Sequence, residues 1–558
     1  MQQILHVVVV GFHHKKGCQV EYAFPPLPEP IDSDGLPPAW KSLPSLALPD
    51  GSHNYDQDVT YFILPSLDDP DKAIFGISCF RQIASEALTT TSSDVTRNTV
   101  QKSVCVLSRS PLFGVLKAKL QLITQAYFNE KDFSKVDVLA QMHSNLCDMF
   151  NGGADLVDGQ AASMDISVRS LIRTFRHRVV LLFKLMLLER KVLFHMFPLN
   201  RLGDTLIALL SLFPNLLEEG LTFATSQATL PSPDKAEEAI EAVIDEDNGE
   251  EKNADEDAEE AEITVARSRP DLGSDPLEKV KDSFGFPLSI FTMGNIFNPY
   301  VGLAHMDLLN SKTVRGFVIG ATNALFPQRK NLFDVMVTVD SEGVGSVEVF
   351  SVELRKALSL TAADLRFADF LIKNVEGTEE DGPAYEGGNE WCREQFRSYL
   401  LSLGSSVRSG LAPACADFGT LFVSMYRETV NCRRWIEEGK YEDMVGVPPG
   451  HPFSGQLGVY DMMLRVEHSV GGSEQARKAL SAISSTGKSL SVSGGKMKTN
   501  LSSWFKGVTS QVRFVTTVIS LSNDSRFLQA SQVLSSVTTP ADAKETAPDA
   551  ATTPTVDK

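Results

Sequence analysis

One stretch of the sequence has the residue types of a phosphate-binding loop. Residues 482–489 read AISSTGKS, which satisfies the permissive form of the Walker A pattern. Such a loop must connect a buried strand to a helix, because its backbone amides then converge on the phosphate. The preceding residues, EQARKALS at 474–481, are polar and helix-prone instead. The surroundings therefore favour a low-complexity segment over a nucleotide site, and the sequence predicts no cofactor.

Side chains capable of covalent catalysis do not form a recognisable motif, since neither HExxH nor GxSxG occurs. His195 lies in an apolar segment and is predicted to be a satisfied core histidine. Asp364 and Asp369 lie near a helix start, where capping and solvation explain them. Seven cysteines are widely spaced without a CxxC pair, which disfavours a zinc site or disulfide framework and fits a reducing cytosol. The sequence thus predicts no metal and identifies no catalytic residue.

The C-terminal tail, from about Gly471, is rich in Ser, Thr, Gly and Lys and has no acidic residue between Gln475 and Asn523. It contains a segment whose apolar residues follow helical spacing, so they would form one stripe. The apolar members are Leu501, Trp504, Phe505, Val508, Val512 and Val515, and the basic residues are Lys506 and Arg513, preceded by Lys496 and Lys498. Burial at the lipid boundary, together with attraction to anionic headgroups, would bind such a helix reversibly to a membrane. The stripe could equally dock on the folded core, and both interpretations remain open.

The charge of the chain is uneven. The net charge is −19, which argues against broad nucleic-acid binding. Residues 234–262 contain fifteen acidic residues against two lysines and no aromatic residue. Such a segment cannot bury enough apolar surface to fold and repels itself. The sequence therefore predicts a disordered acidic insertion over residues 231–283.

The most apolar block of the sequence is expected to form the core against which the other elements pack. Residues 176–197 predict a buried helix followed by a short strand at Val192–Phe194, and a second apolar helix follows from Leu206. Charged residues inside the first run, including Lys184 and Glu189, would be costly at mid-bilayer. We therefore predict that 178–197 and 206–217 are core, with membrane insertion as the alternative.

Strand and helix signals surround this block and predict an α/β fold. Strands are expected at Ile4–Phe12, Val20–Phe24, Thr60–Leu64, Ala73–Phe80 and Val104–Leu107, with a helix from about Pro111. Alternating strands return after Phe284. Thr361 with Asp364 resembles a capping box, and a further helix starts near Glu390 with an apolar inner face. The strands after Phe284 are expected to cover the apolar block.

Several phrases together resemble the Avl branch of DENN-domain proteins. They include VVVVGFHHKKGCQVEYAFPP at 7–26, LLFKLMLLERKVLFH at 181–195, RGFVIGATNALF at 315–326 and TAADLRFADFLIKNV at 361–375. The resemblance implies a longin-like upstream module at 1–150, a central DENN block at 165–230 and the remainder of the DENN core at 284–470. Composition, not the resemblance, marks residues 471–558 as a basic Ser/Thr-rich tail.

The resemblance also implies a function in vesicle transport from Golgi to cell surface. Many DENN proteins bind a Rab-type small GTPase and promote GDP/GTP exchange, so the expected partners are such a GTPase and an anionic membrane, without nucleic acid. The expected location is cytoplasmic, peripherally associated with Golgi-derived or endosomal membranes. Whether this chain catalyses exchange is left open, and the alternative is a non-catalytic membrane adaptor or GTPase effector.

Overall fold

The computed structural model describes residues 3–13, 15–90, 98–151, 160–225, 272–377 and 386–456, together with Asp461 and Leu464. The Walker-like stretch, the tail stripe and the acidic run at 234–262 lie outside the described residues, so the predictions made for them stay predictions. Everything described belongs to one compact unit within residues 1–487.

The N-terminal part forms an antiparallel sheet, here called the first sheet, with strand order β2-β1-β5-β4-β3. Its strands are β1 (Ile4–His13), β2 (Gly17–Phe24), β3 (Gln57–Pro65), β4 (Ala73–Ala84) and β5 (Thr99–Ser108). The run Val7–Val10 is buried because β1 lies inside this sheet between β2 and β5. All five strands predicted for this part of the sequence are confirmed.

The described part of the chain places α1 (Leu43–Ala47), α2 (Phe113–Asn129) and α3 (Asp137–Asn151) beside the first sheet. Helix α2 contacts β4, and α3 contacts β1. Phe113 at the start of α2 contacts the rings of Tyr61 and Phe75, at centroid distances of 4.9 and 5.9 Å. These contacts join the helix predicted from about Pro111 to the sheet.

A second sheet is built around the short apolar strand. Its strands are β6 (Lys191–His195), β7 (Asn295–Asn298), β8 (Gly316–Ala321), β9 (Val335–Val339) and β10 (Gly345–Val349), in the order β10-β9-β6-β8-β7. All neighbours are parallel except β9 and β10. Val192, Leu193 and Phe194 are fully buried in the centre, as a parallel sheet covered on both faces requires. The prediction that strands after Phe284 cover this block is confirmed.

The described helices that follow α3 along the chain are α4 (Gln160–Ser163), α5 (Val168–Phe175), α6 (Arg178–Leu187), α7 (Leu199–Leu210), α8 (Met306–Leu309), α9 (Leu325–Gln328), α10 (Val352–Ala357), α11 (Ala362–Gly377), α12 (Asn389–Ser409), α13 (Ala412–Ala416), α14 (Thr420–Arg427) and α15 (Val430–Cys432).

Phe183 of α6 stacks on Phe213 with a centroid distance of 4.3 Å and contacts Phe396 of α12. The apolar block is therefore core. Within the described residues, no helix is both long and apolar enough to cross a membrane.

One predicted boundary is wrong. The composition predicts an acidic insertion that extends to residue 283, but the described chain resumes at Leu272, and both Leu272 and Leu277 are buried. Arg434 donates to the Leu272 carbonyl at 3.1 Å and to Asp275 at 3.1 Å. Low hydrophobicity averaged over the insertion conceals these two leucines and the buried arginine that anchors them.

Candidate interaction site at the junction of the two sheets

The edges of the two sheets meet at one side chain. Asn298, at the end of β7, accepts a hydrogen bond from the Ile63 amide at 3.3 Å and donates to the Ile63 carbonyl at 3.4 Å. Its amide therefore takes the place that a neighbouring peptide group would have beside β3. The first and second sheets are joined edge to edge by this pair of bonds.

Strand β3 also supplies the N-terminal cap of helix α7. Asp58 accepts hydrogen bonds from the amides of Leu199 and Asn200, at 2.9 and 3.0 Å. Helix α7 begins after Pro198, which offers no side-chain acceptor, so the carboxylate from β3 satisfies these amide groups and complements the helix dipole. Burial raises the pKa of Asp58, although its backbone hydrogen bonds oppose that increase.

A second polar contact lies one turn further along α7. Asp204 accepts hydrogen bonds from the Tyr61 hydroxyl at 2.9 Å and from Lys117 at 2.6 Å. The Tyr61 ring lies over Gly203, where an added Cβ would be 2.4 Å from the ring. Burial, and then the Asp204 carboxylate, raise the pKa of Tyr61 well above its usual value. Glycine at 203 is therefore needed for β3 and α7 to approach this closely.

These contacts border a cleft of about 380 Å³, here called the junction cleft. It lies between β3, α2, α5 and α7, with Tyr61 and Phe113 among its apolar residues and Lys117, Arg201 and Ser170 among its polar ones. The lining contains neither histidine nor cysteine. The lining thus combines aromatic and aliphatic side chains with charged and hydroxyl-bearing ones, which suits a cleft that binds a partner group of mixed character.

The most deeply buried charges lie elsewhere, around Asp364 at the start of α11. Lys184 donates to Asp364 at 2.8 Å and to the Phe418 carbonyl at 2.7 Å, and the Tyr399 hydroxyl donates to Asp364 at 2.7 Å. All three side chains are inaccessible to solvent. Burial opposes ionisation, but Lys184 and His451 together hold the pKa of Asp364 well below its usual range.

Asp364 also confirms one prediction and corrects another. The amide of Thr361 donates to its carboxylate at 3.0 Å, and its own amide donates to the Thr361 hydroxyl at 3.1 Å. This reciprocal pair is a capping box, as predicted. The prediction that solvation accounts for Asp364 is wrong, because Lys184 satisfies the carboxylate from 180 residues away along the chain.

A second buried carboxylate holds the amino end of β6. Glu189 has a left-handed backbone with φ of 50°. It accepts hydrogen bonds from the amides of Val430 and Asn431, both at 3.0 Å, from the Asn431 side chain at 2.9 Å and from Arg315 at 2.6 Å. Glu189 and Asp364 are both fully occupied by protein groups, so their networks hold the fold together.

The sequence-predicted site residues and the junction cleft do not coincide. All ten membrane-binding candidates, from Lys496 to Val515, lie outside the described residues. His195 is half-buried, and its Nε2 lies 3.2 Å from the Thr322 carbonyl, which satisfies it as predicted. Sequence reasoning missed Asp58 and Asp204, because no local motif marks an acid that pairs with a distant element.

Comparison with known families assigns the chain. A family model described as "Transport protein Avl9" matches residues 4–407, which include all ten strands of both sheets. The chain belongs to the Avl9 family. The Avl9 match therefore covers the whole junction between the sheets, including Asp58, Asp204 and Asn298.

Two curated Avl9 relatives carry names that refer to a pathway. The "Late secretory pathway protein avl9" of Schizosaccharomyces pombe is 28% identical over 507 residues, covering 87% of this chain and 96% of the relative. The "Late secretory pathway protein AVL9" of Saccharomyces cerevisiae is 29% identical over 480 residues, covering 81% of this chain. This chain spans only 56% of the length of the Saccharomyces protein.

Proposed function

We propose that this chain regulates late secretory membrane traffic by binding a Rab-type small GTPase and promoting release of its GDP. Membership of the Avl9 family carries the proposal, because the relatives are named for the late secretory pathway. The resemblance to DENN proteins supports the GTPase as partner. An antiparallel sheet followed by two helices is compatible with a longin-like module, and the parallel second sheet with a DENN core.

Exchange requires a surface rather than covalent chemistry. A factor that binds the switch regions of a GTPase weakens the contacts to magnesium and phosphate, and nucleotide and factor then reduce each other's affinity reciprocally. The junction cleft supports this proposal as a place for a protein partner, since Tyr61 and Phe113 line it together with the cations Lys117 and Arg201.

Nucleotide preference tests the proposal. We expect the purified chain to accelerate GDP release from at least one member of a Rab panel by tenfold or more, and to bind that GTPase most tightly when it is nucleotide-free. Release of a fluorescent GDP analogue measures the first effect, and pull-down in three nucleotide states measures the second. Preference for the GTP form without accelerated release would establish the alternative, an adaptor or effector. Binding to no panel member would contradict the proposal.

We further propose that the tail attaches the protein peripherally to anionic Golgi-derived or endosomal membranes from the cytoplasmic side. Residues 475–523 contain seven basic and no acidic residues, and the stripe from Leu501 to Val515 supplies apolar side chains. Apolar burial and headgroup attraction would act together there.

Liposome sedimentation tests the tail. We expect the full chain to co-sediment with vesicles containing phosphatidylserine, and Trp504→Glu and Phe505→Glu to reduce the bound fraction at least fivefold. Ser503→Glu adds the same charge on the polar side of the stripe and serves as the control. Equal binding of all four proteins, or of none, would contradict the membrane helix. Loss of thermal stability in the two aromatic variants without vesicles would assign the stripe to the core.

A further inference from the structure

The charges that line the junction cleft do not all cancel one another. Its charged residues are Lys117, Asp165, Arg201 and Asp204. Lys117 binds one carboxylate oxygen of Asp204 at 2.6 Å, and the Tyr61 hydroxyl donates to the other at 2.9 Å. Arg201 lies three residues before Asp204 on α7, a spacing that allows an ion pair, but the two residues form none in the described structure. Lys117 and Asp204 therefore neutralise each other and leave Arg201 and Asp165.

Arg201 and Asp165 have no side-chain partner among the described residues. Neither the guanidinium of Arg201 nor the carboxylate of Asp165 forms an ion pair or a hydrogen bond there, and both residues are exposed. They line one cleft from different elements, since Arg201 belongs to α7 and Asp165 to the connection between α4 and α5. The cleft thus presents a positive and a negative charge that no other described group neutralises.

Both of these charged residues lie at the start of a helix. An added Cβ on Gly114 would lie 2.0 Å from the Met164 carbonyl oxygen and 3.4 Å from the Asp165 Cβ, so the chain before α5 lies directly against the start of α2. Asp165 therefore complements the dipole of α2. Arg201 belongs to the first turn of α7, where a positive charge opposes the helix dipole. Helix stability thus accounts for Asp165 in part but not for Arg201, whose position favours a role in binding.

Most of the remaining lining is apolar or carries hydroxyl groups. The rings of Tyr61 and Phe113 lie with their centroids 4.9 Å apart. Ser170 and Thr174 lie one turn apart on α5, and neither hydroxyl forms a hydrogen bond within the part of the chain that the structure describes. A volume of about 380 Å³ is near the lower end for binding pockets, so the cleft suits a few side chains. Its unpaired charged residues are exposed, so it opens to the surface of a partner rather than enclosing a small molecule.

We propose that the junction cleft binds a surface segment of its protein partner in which an apolar side chain is flanked by one acidic and one basic residue. The apolar side chain contacts Tyr61 and Phe113, the acidic residue pairs with Arg201, and the basic residue pairs with Asp165. The inference rests on the proposed function, from which it takes the Rab-type GTPase as the partner, and it adds the charge pattern that the GTPase must present. Two opposite charges on different elements fix the orientation of the segment and disfavour partners with like charges at either place.

Charge reversal at Arg201 tests the positive side of the cleft. In the full chain, we expect Arg201→Glu to weaken binding of the nucleotide-free GTPase at least tenfold, because an acidic residue of the partner would then be repelled. Biolayer interferometry with the panel member that the parent binds measures the loss, which should be larger at low salt. Replacing one acidic surface residue of the GTPase with lysine should restore binding of this variant at least fivefold.

Arg408→Glu is the matched control, since Arg408 is an exposed arginine in the last turn of α12. The start of α12 lies beside α5, where the Asn389 side chain accepts a hydrogen bond from the Arg169 amide at 3.1 Å. Arg408 lies about 30 Å further along the helix. We therefore expect Arg408→Glu to bind the GTPase within twofold of the parent.

Removal of the charge at Asp165 tests the negative side. Asparagine tolerates the left-handed backbone that Asp165 adopts at φ of 58°, so Asp165→Asn removes only the charge. We expect binding to fall at least threefold, because the basic residue of the partner loses its counter-charge. Glu353→Gln is the control, because Glu353 is exposed in the first turn of α10, complements a helix dipole in the same way and does not line the cleft. Thermal melting of each protein checks its folding, and Arg201→Glu carries the test if Asp165→Asn does not fold.

These measurements separate the inference from the proposed function. If the parent binds a GTPase and both cleft variants bind within twofold of the parent, the inference fails while the proposed function stands. The inference fails in the same way if the controls lose as much binding as the cleft variants, or if no acidic-to-lysine variant of the GTPase restores binding of Arg201→Glu. If the parent binds no panel member, the proposed function fails, and the inference fails with it.

Discussion

Replacing Asp364 with asparagine should lower the free energy of unfolding by about 3–5 kcal/mol, because the change leaves a charged lysine buried without its counter-charge. Lys184 has no exposed surface and donates to Asp364 at 2.8 Å. Its other contacts, the Phe418 carbonyl and the Phe422 ring at 4.5 Å, carry no full negative charge. Urea unfolding monitored by tryptophan fluorescence at neutral pH measures the loss.

An exposed ion pair supplies the control for this variant. Asp69 pairs with Lys72 at 3.1 Å, and the two side chains are 44% and 51% exposed, so Asp69→Asn should cost no more than about 1 kcal/mol. Adding Lys184→Met to Asp364→Asn should recover much of the stability, since the double variant removes the unpaired charge. Equal stability of the two single variants would contradict the importance of the buried pair.

The pH dependence of the parent provides an independent readout. The pKa of Asp364 is lowered in the folded protein, below the unfolded value of about 3.9. The carboxylate therefore contributes stability that is present above about pH 4 and is lost as pH falls towards the folded-state pKa. Asp364→Asn should lack this contribution, so the stability difference between parent and variant should shrink as the solution is acidified.

Replacing Glu189 with alanine should cost a similar amount, about 3–5 kcal/mol, because four donors lose one acceptor group. The amides of Val430 and Asn431 are buried, and Arg315 loses its carboxylate partner. The left-handed backbone at φ of 50° is unfavourable for glutamate and alanine alike, so the difference between the two proteins reports the lost hydrogen bonds. Urea unfolding measures the effect.

Two further variants show whether the Glu189 carboxylate or merely its size matters. Glu189→Gln keeps one oxygen acceptor and should lose less stability than the alanine variant. Glu348→Ala removes an exposed pair with Lys330 at 3.3 Å and should change stability by no more than about 0.5 kcal/mol. A Glu189→Ala protein as stable as Glu348→Ala would show that the network around β6 is dispensable.

The elements of the fold could be predicted wherever their pattern is local. Continuous apolar runs predicted β1 and β6, and the spacing of Trp391, Phe396 and Tyr399 predicted the inner face of α12, which is buried. The capping box at Thr361 is also local, because both partners lie within one helical turn. Periodicity and capping are properties of neighbouring residues, so a single sequence records them.

The candidate site could not be predicted, because its contacts join residues far apart in sequence. Asp58 contacts α7 across 141 residues, and Asn298 contacts Ile63 across 235. An isolated acid in a strand or an asparagine at a strand end carries no sign of which distant amide it will meet.

The amide of Asn298 has a consequence for how the protein behaves at high concentration. The outermost strand of a sheet presents unpaired backbone groups that can recruit a strand from another molecule and start aggregation. Here β3 and β7 are each the last strand on one side of a sheet, and Asn298 ties them to each other. Of the four terminal strands in the part of the chain that the structure describes, two therefore shield one another. Among these strands, β2 and β10 remain as the places where strand addition between molecules has to be prevented by other means.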